Sequence, residues 1–466
     1  MKIIFNKNDM CEAVSPLQSG VSGKTALTAT EGILFEAQAP DVCRMTTFDL
    51  EKGVRLSVRV EVIEEGAAII SAAKFSQTVR AMEDGEITLS VDDRNCVSIT
   101  CGRASHTMNA LPAADFPDLP RLRSVNGFTV PRKTLRAMIG KCMHAMGTND
   151  QRPFLNGMYM RVTDGRLDTV ACDSFRMAVC STPAETENRN ESGDALNYRF
   201  ILPNKSVGEL FRLLDYRNEK SEKSLESLES SESGESAESR EQREPLTRIH
   251  MFRKNIVFDL DGITFFSRLI DGEYMDYERI IVRNHRILVT VDRDVLLSAL
   301  ERAALITEER VPGAVRSSVR LDIVGGMLKV SAVSGLGSSY DEMPIRHEGD
   351  DLTIAFNNRY LMDSLRACRA GDVRLSMSTS LSSINIEPVR ASCTSSCRCA
   401  PRSKGRRCSA GGSVCGISAT LRRRRCIFPP ASTFCTATTR RERPICWRRC
   451  TTRRSARPSA RGMTRS

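Results

Sequence analysis

Phe128-Thr129-Val130-Pro131-Arg132-Lys133-Thr134-Leu135-Arg136-Ala137-Met138-Ile139-Gly140-Lys141-Cys142 changes its period at the proline. Before it, Phe128 and Val130 alternate with other residues, as on a strand buried on one face. After it, Leu135, Met138, Ile139 and Cys142 fall at the spacing of one helix face. A strand is therefore expected to run straight into an amphipathic helix.

The same join recurs five more times. It reads Ile3-Ile4-Phe5-Asn6-Lys7, Ala68-Ile69-Ile70-Ser71-Ala72, Phe200-Ile201-Leu202-Pro203-Asn204, Leu288-Val289-Thr290-Val291-Asp292 and Leu352-Thr353-Ile354-Ala355-Phe356-Asn357. Each copy ends in a polar residue or a proline and leads into apolar residues at helical spacing, which predicts helices near 7–17, 71–82, 131–146, 203–214, 292–306 and 357–370. Joins one, three and five form one series and joins two, four and six another. The first interval in each is about 125 to 132 residues and the second about 155 to 161.

Residues 217–245 account for the difference. They are almost all Ser, Glu, Lys, Arg and Gly, with Leu225, Leu228 and Ala237 the apolar exceptions. Such a stretch buries too little surface to offset its ordering entropy, so a disordered loop insertion is expected there. With it removed the intervals agree. The chain then reads as an α+β protein of three pseudo-repeated domains, each built from two strand-helix-strands units: 1–124, 125–283 and 284–389.

From about residue 390 the composition changes. Residues 390–466 carry 19 Arg and one Lys against the single acidic Glu442, and nine of the 17 Cys. The net charge of +11 therefore hides an acidic body, which carries −8 without this segment. Three readings stand open. Cys393, Cys397 and Cys399 could bind a metal, although there is no His and no paired Cys-x-x-Cys. Arg422 to Arg425 could form an arm that binds nucleic acid nonspecifically. The third reading is out-of-frame translation, leaving the segment disordered. The residues from Arg390 to Arg402 can be encoded by codons that, read two bases on, give Ser-Phe-Met-Tyr-Phe-Leu-Leu-Pro-Leu-Arg-Pro and then stop. That hidden peptide is strand-like, whereas the printed segment has no periodicity.

The other eight Cys are scattered singly among apolar neighbours, which suits buried free thiols in a reducing compartment. Met1-Lys2 leads directly into the first strand, and no apolar run is long enough to span a bilayer, so a cytoplasmic protein without membrane contact is expected. Phosphate-loop, zinc-protease and serine-hydrolase motifs are absent, and the five His lie far apart. Asp92-Asp93-Arg94-Asn95 and Asp259 to Gly262 read as hairpin turns rather than as metal sites. The expectation is a binding scaffold with no catalytic residue, metal or cofactor.

Charge placement indicates what is bound. The six expected helices hold 14 basic and seven acidic residues in an otherwise acidic body, and the third holds Arg132, Lys133, Arg136 and Lys141 with no acid. If the fold gathers the helices on one side, they form a basic surface that attracts phosphates without reading bases.

Several segments carry a family resemblance. Ala110-Leu-Pro-Ala-Ala-Asp-Phe-Pro-Asp-Leu119, Phe154-Leu-Asn-Gly157, Thr169-Val-Ala-Cys-Asp-Ser-Phe-Arg-Met-Ala-Val-Cys180, Ser267-Arg-Leu-Ile-Asp-Gly-Glu-Tyr-Met-Asp-Tyr-Glu-Arg279 and Ser382-Ser-Ile-Asn-Ile-Glu387 together resemble the β sliding clamps of bacterial DNA polymerase III. The match runs in order over residues 1–389 apart from the insertion, and the hidden peptide resembles the family's last strand. The resemblance implies a noncatalytic processivity factor that encircles double-stranded DNA without sequence preference. It also implies a head-to-tail homodimer forming a ring, with helices inside and sheets outside. Its partners would be the polymerase III catalytic subunit, the clamp loader and repair polymerases, bound through short linear peptides.

Carried over by position, the DNA-facing residues are Lys24, Lys74, Arg80, Arg132, Lys133, Arg136, Lys141, Lys205, Arg212, Arg293, Arg302, Arg359 and Arg366. The peptide groove is Arg152, Leu155, Cys172, Ser174, Phe175, Arg176, Met177, Met275, Arg279, Ile280, Asn357, Tyr360, Leu381 and Ser383. The dimer faces are His106 with Met108 and Leu305 with Ile306. Cys172 stands where the family has Thr, and Met275 where it has Pro. The rival to this reading is a nonspecific nucleic-acid binder acting through the Arg-rich tail.

Overall fold

The computed structural model describes residues 1–389 apart from 22, 24–26, 121–126, 164, 184–196, 230–244, 253, 308–317 and 336; over 217–229 it describes the backbone only. Lys24 and the whole of 390–466, with its candidate cysteines and arginines, lie outside the described residues.

All six joins form. Strands Lys2–Asn6, Gly66–Ser71, Gly127–Pro131, Tyr198–Pro203, Ile287–Asp292 and Leu352–Asn357 pass directly into α1 (Lys7–Leu17), α2 (Ala72–Ala81), α3 (Arg132–Cys142), α4 (Asn204–Glu229), α5 (Arg293–Thr307) and α6 (Asn358–Ala367). Local chemistry fixes the transition at three of them. The side chains of Asn6 and Asn357 accept from Asn8 N and Arg359 N, and Asp292 accepts from Asp294 N and Val295 N, so each caps donors that a helix start leaves unpaired. At the third join Phe128, Val130, Leu135, Met138, Ile139 and Cys142 are all buried. Each large side chain so buried contributes roughly 1.5–3 kcal/mol relative to exposure.

After each of the first five helices come three antiparallel strands, followed after α1, α2 and α5 by a further short strand (Glu61–Glu64, Leu111–Pro112 and Arg346–Glu348). The strand that opens one unit pairs with the sheet of the other unit in its domain: Lys2–Asn6 with Glu86–Val91, Gly66–Ser71 with Gly32–Gln38, Gly127–Pro131 with Leu246–Phe252, Tyr198–Pro203 with Gly157–Thr163, Ile287–Asp292 with Asp372–Met377, and Leu352–Asn357 with Ser318–Val324. This exchange binds two units into one domain. Within each domain the two helices pack together, α1 on α2, α3 on α4 and α5 on α6.

A nine-stranded sheet joins the first domain to the second, because Lys52–Arg59 pairs antiparallel with Ile263–Arg268, from Ile263 opposite Leu56 to Ser267 opposite Lys52. Gly53 is required at this seam: a Cβ there would lie 2.3 Å from Phe266 Cζ and 2.4 Å from the Thr47 carbonyl oxygen.

The insertion differs from expectation. α4 continues to Glu229, so residues 217–229 are helical rather than a disordered loop, and 230–244 lie outside the described residues. The physical reason is cooperativity. Val207, Leu210, Leu213 and Leu214 anchor the first turns in the core, and extending an existing helix costs far less than nucleating one. The Ser, Glu, Lys and Arg that follow are tolerable helix residues even with nothing to bury.

Of the eight cysteines before residue 390, six are buried, while Cys11 and Cys96 are only half-buried. The Asp92 carboxylate accepts from Arg94 N and Cys96 N in a hairpin turn, and Asn95 takes the left-handed conformation. Among the described residues no helix is long and apolar enough to cross a membrane, and no cluster of three or more His, Cys, Asp or Glu could hold a metal ion.

Candidate functional site

The expected site residues fall in two places, on the basic helices and around an apolar cluster. On the helices, Lys74, Arg80, Lys133, Lys205, Arg212, Arg302, Arg359 and Arg366 are exposed and Lys141 is half-exposed. Several are already balanced by acids: Arg302 by Asp341 at 2.8 Å, Arg366 by Glu301 at 2.9 Å and Arg212 by Glu209 at 3.3 Å. Arg136 is half-buried, lies 2.6 Å from Asp215 and stacks over the Phe211 ring. Arg293 turns toward its own domain, donating to the Cys368 carbonyl.

Arg132 corrects the sequence expectation. Only 1% of it is exposed, and its guanidinium lies 2.5 Å from the Asp261 carboxylate in the turn between Asn255–Asp259 and Ile263–Arg268. As the first residue of α3 it faces the sheet. It is a structural cation and not a DNA contact.

The expected groove residues fall mainly on the second domain. Leu155, Val170, Cys172, Met177, Ile201, Tyr274 and Tyr277 form a buried cluster of their own, edged by Phe154, Tyr159, Val179, Ile270, Met275, Ile280 and Ile281. Of the expected residues, Leu155, Cys172, Met177, Met275 and Ile280 thus come together. A second patch lies where α6 meets this domain. The Phe175 and Tyr360 rings are 6.2 Å apart, the Arg176 guanidinium lies 4.5 Å above Tyr360, and Arg176 reaches Asp363 at 2.7 Å and Asp173 at 2.9 Å. Arg152 donates to Ser174 and pairs with Asp150, whose carboxyl is held down at about 2 by those Arg152 bonds. Arg279 is exposed and pairs with Asp276, Asn357 serves as the α6 cap, and neither Leu381, 72% exposed, nor Ser383 belongs to the cluster.

Aromatic packing supplies the wall that sequence reading missed. Tyr274 stacks on Tyr159 with centroids 4.7 Å apart and meets Phe154 edge-on at 6.0 Å. The Tyr-Met-Asp-Tyr run at 274–277 was the available signal; its partner Tyr159, over a hundred residues earlier, had none. Behind the wall Asp168 is fully buried. Burial pushes its carboxyl up, but bonds from Ser181, Arg161 and Arg166 outweigh that and hold it below the usual range. Arg161 also reaches Glu278 at 2.7 Å and covers Tyr277, fixing the short helical turn Tyr277–Arg279 against the sheet.

Family models of the DNA polymerase III beta subunit match the chain three times in order: the N-terminal domain over 1–120, the central domain over 129–276 and the C-terminal domain over 278–397. The chain belongs to the DNA polymerase III beta-subunit family. The beta sliding clamp of Haemophilus influenzae is 30% identical over 392 residues, covering 83% of this chain and 96% of that protein. That of Proteus mirabilis is 28% identical over 393 residues, covering 84% and 96%. The crystal structure of the Pseudomonas aeruginosa DNA polymerase III subunit beta superposes with a TM-score of 0.71 at 26% identity, covering 84% of this chain and 96% of that one. A structure of the Pseudomonas aeruginosa clamp bound to griselimycin aligns equally well, with a TM-score of 0.71.

The chain is thus a noncatalytic processivity subunit, a sliding clamp. Its function resides in the clamp body and not in an Arg-rich tail. Membership implies a partnership with DNA and with the polymerase, and a homodimeric assembly.

Proposed function

We propose that two copies close head to tail into a ring around duplex DNA, with the six helices of each copy turned toward the phosphates. The observation that carries this reading is a pair of unlike sheet edges that are unpaired among the described residues. At one end of the chain the edge strand is Ala104–Asn109, with exposed His106, half-buried Met108, and Lys74 and Arg103 nearby. At the other it is Gly337–Pro344, with Tyr340, Asp341 and Glu342, beside exposed Leu305 on α5 and half-buried Ile306. One edge is basic and the other acidic and apolar, so they complement one another and not themselves. Pairing them would continue each outer sheet into the next copy and cover Leu305, Val333 and Tyr340, which are 78%, 60% and 61% exposed.

A closed ring is retained by topology, so weak, salt-screened phosphate contacts suffice and leave it free to slide. The groove then takes short linear peptides, from the polymerase catalytic subunit, the clamp loader and repair polymerases, over the partly buried Phe154, Tyr159, Met275 and Ile280 that edge the cluster of Leu155, Cys172, Met177 and Tyr274. This role places the chain in the cytoplasm with the chromosome. Substituting Leu305→Lys removes an apolar contact and sets a positive charge against the other copy's basic edge; sedimentation should then show monomers that still fold and still bind a fluorescent linear peptide. A dimer of unchanged stability would overturn the assignment of the faces.

A further inference from the structure

The five complete units supply a rule for the sixth. In the second units of the first two domains, three antiparallel strands follow the helix: Glu86–Val91, Cys96–Cys101 and Ala104–Asn109, then Leu246–Phe252, Asn255–Asp259 and Ile263–Arg268. The third strand returns after two residues in one case and three in the other. After α6 come Asp372–Met377 and Asn385–Pro388, and Val389 N still donates to the Asp372 carbonyl. Asn385–Pro388 is the end strand of its sheet among the described residues. Yet Ile384, Asn385 and Ile386 are buried, as in a strand with neighbours rather than at an exposed margin.

We propose that the outer edge of Asn385–Pro388 is the seat of a returning strand with the sequence Ser-Phe-Met-Tyr-Phe-Leu-Leu-Pro-Leu-Arg-Pro, encoded by the same gene two bases out of the printed frame. The repeat places the return two or three residues past Pro388 or Val389, and that is where codons permitted for the printed residues can be read, two bases on, as a strand-like peptide. Its run of aromatic and apolar residues suits a strand between a sheet neighbour and the core. The printed sequence at the same place is rich in Ser, Arg and Cys, without such a run. The strand also bears on the groove. Asn385 Nδ2 donates to the Val282 carbonyl and lies 2.8 Å from His285 Nε2, in the segment that follows the groove residues Ile280 and Ile281.

Four chains test this: the full chain, the chain ending at Arg390, the chain with residues 391–466 replaced by the eleven-residue peptide, and that replacement with its Tyr and second Phe changed to Pro. Amide exchange at Ile384 to Ile386 should be slower by an order of magnitude or more in the peptide replacement than in the other three. Groove affinity for a fluorescent linear peptide should rise with it. Equal protection in the full or truncated chain overturns the proposal, as does absence of protection in the replacement. The readout is independent of DNA, so its failure leaves the clamp reading standing. Should the replacement fail to fold, mass spectrometry of the natural protein decides: a C-terminal peptide ending in Leu-Arg-Pro supports the proposal, and peptides from residues 403–466 overturn it.

Discussion

Between the first and second domains the connection is made of backbone, while between the second and third it is made of side chains. At the first seam two strands pair over five residues, and Gly53 lets Phe266 lie against the chain. At the second joint Arg176 bridges Asp173 and Asp363, Tyr360 stacks on Phe175, and half-buried His144 feels the charges of both Arg176 and Asp363. A backbone seam carries no titrating group and tolerates little change of shape. A side-chain joint can be loosened by charge, and this one borders the proposed peptide groove. The contrast implies that the first seam sets the rigidity of the half-ring and the second tunes the groove.

The largest effect expected from breaking the contrast is at Gly53. Gly53→Val forces backbone or Phe266 to move and should cost more than about 3 kcal/mol, read as a fall in the denaturation midpoint, with groove affinity in the surviving folded fraction unchanged. Next comes pH. Burial, aided by the Arg176 charge and opposed by Asp363, depresses the His144 pKa from 6.5 to about 4. The folded state therefore keeps the ring neutral while the unfolded state takes up a proton. Stability from this group is complete above pH 6.5 and is lost as pH falls toward 4, by up to about 3 kcal/mol. Denaturation across that range should show the slope, and His144→Gln should flatten it.

Arg176→Met should cost about 2 kcal/mol, since it leaves two partly buried carboxylates without their cation, and it should weaken linear-peptide binding where Gly53→Val does not. Smallest of all is the α4 extension. Deleting 217–244 while keeping Pro245, whose carbonyl accepts from Arg132 N, should shift stability by less than about 0.5 kcal/mol, because closure entropy varies slowly with length. A larger fall in melting temperature would show that the extension packs.

The six joins were legible because everything that specifies them is local: alternation, a capping Asn6, Asp292 or Asn357, then helical spacing. That Leu155, Cys172, Met275 and Ile280 meet in one cluster was legible only through family resemblance, since they share no spacing. What escaped depends on distant partners. Arg132 looked like one more exposed cation in a basic helix because Asp261, which takes it into the interior, lies 129 residues away. The helical run of 217–229 escaped for a different reason, its composition being that of a solvated loop while its conformation is propagated from the packed turns before it.

Retention on DNA tests the central claim most directly. Clamp loaded onto a nicked circular plasmid by a clamp loader should stay bound through gel filtration at a salt concentration that abolishes equilibrium binding, and should be released when one restriction cut linearises the plasmid. Equal retention on circular and linear DNA, or loss of both on removing residues 391–466, would contradict a ring held by topology.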